Sequence, residues 1–264
     1  MKFLMLLTFV PLALFLNKMC KKYNFLLSLT GEIHQQFISK KSVPLIGGFF
    51  IIFFCLLFLN IFLVKIFVAL VFVFGIISDL KIIKSPLVKF IVQFFIIYAF
   101  VYLLDLNLEN TRIIFLDRAL GNPIFNNFFL SFSILVIING SNFIDGVNIN
   151  NLGYYFTICL CLIFLSNDLN LVISKEFLVY FSLSIFILII LNSKSILFLG
   201  DSGSYLLGFL FSYFLIEMYT QNQNVSPFFI ILLLWYPAFE NLFSFIRKFS
   251  LDKSPLSPDN YHFH

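Results

Sequence analysis

Asn127-Phe-Phe-Leu-Ser-Phe-Ser-Ile-Leu-Val-Ile-Ile-Asn-Gly-Ser-Asn-Phe-Ile-Asp-Gly-Val-Asn148 joins a hydrocarbon run to a polar cassette with nothing between them. Residues 127–138 are almost wholly apolar. From Asn139 to Asn148 the chain then carries Asn139, Ser141, Asn142, Asp145 and Asn148, and a second apolar run starts at Leu152. The apolar half predicts a helix that crosses a bilayer. Amides and a carboxylate at the edge of that bilayer are costly, and they persist where they hold something, so the polar half predicts a functional site at the helix end.

The same alternation runs through the whole chain. Of 264 residues, 61% are hydrophobic and 11% charged, too little charge to cover a soluble domain. Apolar runs approaching the ~20 residues of a bilayer crossing predict an all-α, polytopic transmembrane helix bundle of about nine spans. They fall at 3–19, 45–60, 61–79, 87–104, 127–143, 152–166, 177–192, 203–219 and 227–247, and together form one domain over 1–264. The first run has no small-residue cleavage site and further spans follow it, so it reads as a retained helix rather than a signal peptide. With the connections placed on alternate sides, twelve of the 17 Lys and Arg fall on one side, Lys18, Lys40, Lys81, Lys89 and Arg247 among them, and five on the other. The positive-inside rule puts the richer side in the cytoplasm and the N-terminus outside. The net charge of +4 then marks orientation and contact with anionic lipid, with no nucleic-acid partner. Cys20, Cys55, Cys159 and Cys161 lack metal-ligand spacing and read as buried thiols. The longest outer connection, Asp105–Asn126, reads as a short β-hairpin or an interfacial segment.

Five polar clusters share the cytoplasmic side in this topology: His34–Gly48, Gly75–Gln93, Asn139–Asn148, Leu199–Ser204 and Arg247–His264. Lying at one depth on one face is what a shared site requires. Asp79, at the end of the third span, either pairs with a nearby lysine or serves the site. Asp145, Asn142 and Asn139 descend one side of a helix end. Asp201 stands where the eighth span begins; as a structural residue it caps that helix, as a functional one it ligates a metal. Asp and Asn oxygens without Cys or His suit Mg²⁺, which binds few protein groups and keeps its remaining positions for water and substrate phosphates. Gly47 and Gly48 serve either close helix packing or a backbone approach to a ligand. Glu240, within the last span, reads as structural support, and His262 and His264 as hydrogen-bond donors to a phosphate or as metal ligands. A transporter would also carry polar residues in its spans, but with internal repeats and broken helices near the midplane.

The ordered set of motifs resembles one family. It comprises Pro44-Leu-Ile-Gly-Gly48, Gly75-Ile-Ile-Ser-Asp79, Lys89-x-x-x-Gln93, Asn139-x-x-Asn-Phe-Ile-Asp-Gly-Val-Asn148, Phe198-Leu-Gly-Asp-Ser-Gly-Ser204 and Pro258-Asp-x-x-His-x-His264. Together these resemble the polyprenyl-phosphate N-acetylhexosamine-1-phosphate transferases, glycosyltransferase family 4. The resemblance implies transfer of an N-acetylhexosamine-1-phosphate from a UDP-sugar to undecaprenyl phosphate at a cytoplasm-facing site in the bacterial inner membrane, initiating a surface glycan. It implies Mg²⁺, with Mn²⁺ as the alternative, on Asn142 and Asp201; catalytic roles for Asp79, Asp145 and Lys89; and substrate contacts from Gly47, Gly48, Asn139, Asn148, His262 and His264. It admits a homodimer. The chain departs from the family pattern in three places: Ser78 replaces the first carboxylate of an acidic pair, Asn148 stands where many relatives have aspartate, and the sequence stops inside the histidine motif, so one or more C-terminal helices are expected to be missing. A catalytically silent relative is the alternative that these departures leave open.

Overall fold

The computed structural model describes residues 2–28, 42–146, 149–222 and 224–250. Among them the regular structure is helical: α1 (Lys2–Tyr23), α2 (Gly47–Phe58), α3 (Phe62–Asp79), α4 (Pro86–Leu103), α5 (Ile114–Leu120), α6 (Pro123–Ile144), α7 (Asn150–Leu165), α8 (Lys175–Ser193), α9 (Gly200–Gln221), α10 (Pro227–Leu233) and α11 (Trp235–Ser250). Short polar signals start several of them. Ser85 and Asn122 accept hydrogen bonds from the first turns of α4 and α6, each just ahead of a proline at the first helical position, where the missing N–H costs nothing. Ser174 caps α8 in the same way.

Four helices, α3, α4, α6 and α8, are long and apolar enough to cross a membrane, and α10 with α11 makes a fifth crossing if a pair bent by 73° is one span. The chain is a polytopic helical membrane protein. Each of the nine expected runs lies on helix, but α2 and α7 are shorter than a full crossing. The expected single span over 227–247 is broken at Leu234. The hairpin alternative for 105–126 is not what forms. That connection contains the short helix α5, with the Asp117 carboxylate accepting from Thr111 N and Oγ1, and the Asn126 side chain bonded to the carbonyls of Leu108 and Leu120.

At the centre stands α9. Of its 22 residues 18 are buried, and it packs against α2, α3 and α6. A helix surrounded by other helices meets no lipid, so it tolerates Ser202, Ser204 and Ser212, which lower its hydropathy without exposing a polar group to hydrocarbon. Aromatic side chains fill the gaps between helices. Phe100 of α4 meets Phe67 of α3 and Phe209 and Tyr213 of α9, and Phe54 of α2 meets Phe177 and Phe181 of α8. Such pairs add about 0.5–1.5 kcal/mol each beyond their buried area.

Against α6 packs α11, its polar face inward. Glu240, Ser244 and Lys248 are buried, and Asn241 donates to the Val136 carbonyl, while Trp235, Phe239, Leu242, Phe245 and Ile246 are exposed. That inversion of the soluble amphipathic pattern suits a helix whose outer face meets lipid. At one end of the bundle, non-helical backbone knits three segments together: Leu45 N donates to Leu26 O, Ser28 N to Val43 O, Phe198 N to Pro44 O and Gly47 N to Phe198 O. This knot fixes where α9 begins.

Candidate active site

Four helix ends meet beside the knot: the end of α3, the start of α4, the end of α6 and the start of α9. The first residue of α9 is Gly200, with φ +74°, a conformation that favours glycine. A Cβ there would lie 3.0 and 3.1 Å from the two Asp79 carboxylate oxygens, so a side chain would be both strained and in the carboxylate's place. Asp79 uses that approach to bond the first amides of α9: Asp201 N donates to its Oδ1 at 2.8 Å and Ser202 N to its Oδ2 at 3.1 Å. A carboxylate on two N-terminal amides satisfies donors that the helix itself cannot and sits at the positive end of its dipole.

The capping role that sequence spacing offers to Asp201 is therefore performed by Asp79, from another helix. Asp201 is released to point outward from the first turn. Its Oδ1 accepts from Asn142 Nδ2 at 2.7 Å and its Oδ2 from Ser78 Oγ at 2.5 Å. Lys89, at the start of α4, donates to Ser78 Oγ at 2.5 Å and lies 4.0 Å from Asp201 Oδ2. The side chains of Lys89 and Asp201 are 26% and 29% exposed, so this charge pair is open to a ligand. Asn142 also donates to Ser204 Oγ at 3.2 Å. Asp145 follows the last turn of α6. Burial first, then the negative charges of Asp201 and Asp79, push its carboxyl well above the ordinary carboxylate range, partly opposed by a hydrogen bond with Asn151. Its three carboxylates thus feel one another.

Asp79, Lys89, Asn142, Asp145 and Asp201 are brought to one place. One turn of helix deeper, Asn139 donates to Gln93 Oε1 at 3.1 Å and to the Leu135 carbonyl at 2.9 Å, linking α6 to α4. The ligand-approach reading of Gly47 and Gly48 needs correction. Both are buried, their amides donate to the carbonyls of Phe198 and Leu199, and the space beside them is filled by Leu199, Ser202 and Gly203. They let α2 touch the α9 entry, which is the packing role. Asn148, His262 and His264 lie outside the described residues, as does most of the His34–Gly48 cluster. Sequence reasoning assigned no role to Gln93 or Ser204, which accept from Asn139 and Asn142. Gln93 stands out as the i+4 neighbour of Lys89; the inward direction of Ser204 on a helix buried on all sides does not.

Among the described residues no three His, Cys, Asp or Glu side chains close on one point as a ready metal cage. The donor chemistry nevertheless fits a hard divalent cation. The side chains carry carboxylate and carboxamide oxygens and the carboxylates are crowded, with Asn142 Nδ2 donating to Asp201 Oδ1 at 2.7 Å. Mg²⁺ needs few protein ligands when substrate phosphates supply the rest.

At one end of this integral-membrane bundle, carboxylates, a lysine and amides form one polar cluster. The glycosyl transferase family 4 profile covers residues 61–219, more than half of the chain, and the chain belongs to that family. A 67-residue segment is 37% identical to the undecaprenyl-phosphate alpha-N-acetylglucosaminyl 1-phosphate transferase of Thermotoga maritima. That segment covers 25% of this chain and 22% of the relative. No solved structure matches the chain.

Proposed function

We propose that this protein transfers an N-acetylhexosamine-1-phosphate from a UDP-sugar to undecaprenyl phosphate, releasing UMP and starting a bacterial surface glycan. The observation that carries this reading is the meeting of Lys89, Asn142, Asp145 and Asp201, from three helices, at one end of a membrane bundle in a glycosyl transferase family 4 chain. A polyprenyl acceptor stays in the bilayer while a nucleotide sugar is soluble, so their common site has to lie at the interface. We place it on the cytoplasmic side of the inner membrane, in a protein of nine spans with its N-terminus outside; the Lys and Arg bias supports this orientation. A homodimer is compatible with it.

In this reading a lipid phosphate oxygen bonds to the sugar-bearing phosphorus of the donor. The bond from that phosphorus to the bridging oxygen breaks, and UMP leaves with the electron pair. A phosphate monoester has its second pKa near ~6, so the acceptor is already largely dianionic at neutral pH and needs no strong base. What remains is neutralisation of charge and alignment. Asn142 and Asp201 would hold Mg²⁺, or Mn²⁺ in its place, and the ion supplies charge neutralisation on the donor diphosphate. Lys89 adds a positive charge at the same mouth. Asp79 fixes the α9 entry and so the direction of Asp201. Asp145 supplies a second carboxyl group beside the first, and Asn139, one helical turn deeper, braces α6 against α4.

The test is transfer of label from UDP-GlcNAc or UDP-GalNAc to undecaprenyl phosphate in membranes holding the chain, with and without Mg²⁺. A labelled lipid that requires the cation and is lost in Asp201→Ala supports the proposal. No labelled lipid from either donor, with Mg²⁺ or Mn²⁺, refutes it.

A further inference from the structure

The residue that departs from the family's acidic pair has a definite place in the site. Ser78 is 3% exposed and stands between two charged groups, with Lys89 Nζ 2.5 Å from its hydroxyl and the hydroxyl 2.5 Å from Asp201 Oδ2. The polarity of this chain is fixed by chemistry. An ammonium only donates, so Ser78 accepts from Lys89 and its single proton goes to Asp201. The direct Lys89–Asp201 separation is 4.0 Å, too long for a hydrogen bond, so the serine is what connects them. Asn142 holds the other oxygen of Asp201, and the two donors together select one orientation of the carboxylate. A carboxylate at position 78 would instead add a negative charge beside Asp201 and compete for Lys89.

We infer that Ser78 is a positioning residue: its hydroxyl relays Lys89 to Asp201 and holds the Asp201 carboxylate in the orientation that receives the divalent cation. The inference rests on the proposed metal role of Asp201. Groups that orient a metal ligand from behind typically cost 10–100-fold in metal affinity when removed.

The readout is Mn²⁺ binding by the full chain in detergent, followed by electron paramagnetic resonance without substrate, beside thermal unfolding of each variant. Ser78→Ala is expected to weaken Mn²⁺ binding by about tenfold. Ser78→Thr, which retains the hydroxyl, is expected to stay near the parent protein. In membranes the same contrast should raise the Mg²⁺ concentration for half-activation in Ser78→Ala, with most of the rate recovered at saturating Mg²⁺; that arm needs no purified variant. Unchanged Mn²⁺ affinity in Ser78→Ala, or equal weakening in both variants, overturns the role of the hydroxyl. Asp201→Ala separates the two levels. If it binds Mn²⁺ as well as the parent, the metal reading fails and takes the Ser78 inference with it. If it loses Mn²⁺ while Ser78→Ala does not, only the Ser78 inference fails.

Discussion

Gly75→Ala should damage the site through packing alone. Gly75 lies one helical turn before Asp79 on α3, directly against the start of α9. A Cβ at this position would lie 2.3 Å from Ser202 Cα and 2.8 Å from Ser202 N. Carbon atoms in ordinary contact are about 3.5–4.0 Å apart, so α3 has to retreat by roughly 1 Å or more. Because α9 is enclosed on all sides, α3 is the partner that moves, and Asp79 moves with it. Its bonds to Asp201 N and Ser202 N, now 2.8 and 3.1 Å, would stretch past hydrogen-bonding range. Overpacking costs about 1–3 kcal/mol, and hydrogen bonds to a charged group about 1.5–3 kcal/mol each. Better helix propensity returns about 1 kcal/mol. The net expectation is a loss of roughly 3–8 kcal/mol, with a fall in transfer rate on the order of 100-fold because the α9 entry is misplaced. Thermal unfolding in detergent and the labelled-lipid assay measure the two effects. Gly153→Ala on α7 is the control. Its Cβ would meet only Ile149 Cγ2 at 3.9 Å, and it should be neutral or stabilising by about 0.5–1 kcal/mol. A Gly75→Ala protein as stable and as active as the parent would refute the reasoning.

Asp79→Ala removes the acceptor from both α9 amides and should destabilise by about 3–6 kcal/mol, while Asp79→Asn, which keeps one acceptor oxygen, should lose about half as much in the same unfolding assay. Asp145→Asn should separate stability from activity. The folded carboxyl is held above its unfolded value of about 4, so the parent loses stability as pH rises from there through the raised folded value. An asparagine cannot ionise, so in chelator the variant should gain stability on the parent with rising pH, and in the separate Mg²⁺-containing assay its transfer should fall; identical pH slopes would contradict this. Tyr155→Phe removes the hydroxyl bonded to Ser141, whose own proton goes to the Ile137 carbonyl at 2.7 Å. It should cost about 0.5–1.5 kcal/mol with little change in the metal dependence of activity.

Much of the architecture was legible because its cause is local. Apolar runs such as 62–79 and 175–193 become helices because lipid offers no partner for backbone N–H and C=O groups, and a helix satisfies them within the run. The break at Leu234 was not legible: 227–247 is apolar enough to read as one span, and the bend accompanies the packing of the polar face of α11 on α6. The helix in 105–126 was missed for a related reason, since Asp117 and Asn126 shape that connection through contacts made in the folded chain.

At the site, the sequence by itself determined which polar residues lie at helix ends, because a charged or amide group inside an apolar run stands out residue by residue. It also carried the family. Only the tertiary structure decided what each residue does there. Asp79, not Asp201, caps α9; Gly47 and Gly48 pack rather than bind; Ser78 joins Lys89 to Asp201. These contacts link positions 123 and 59 residues apart, Ser78 to Asp201 and Asn142 to Asp201. Hydrogen bonds act over about 3 Å of space, and spacing along a chain does not specify which side chains packing will bring that close.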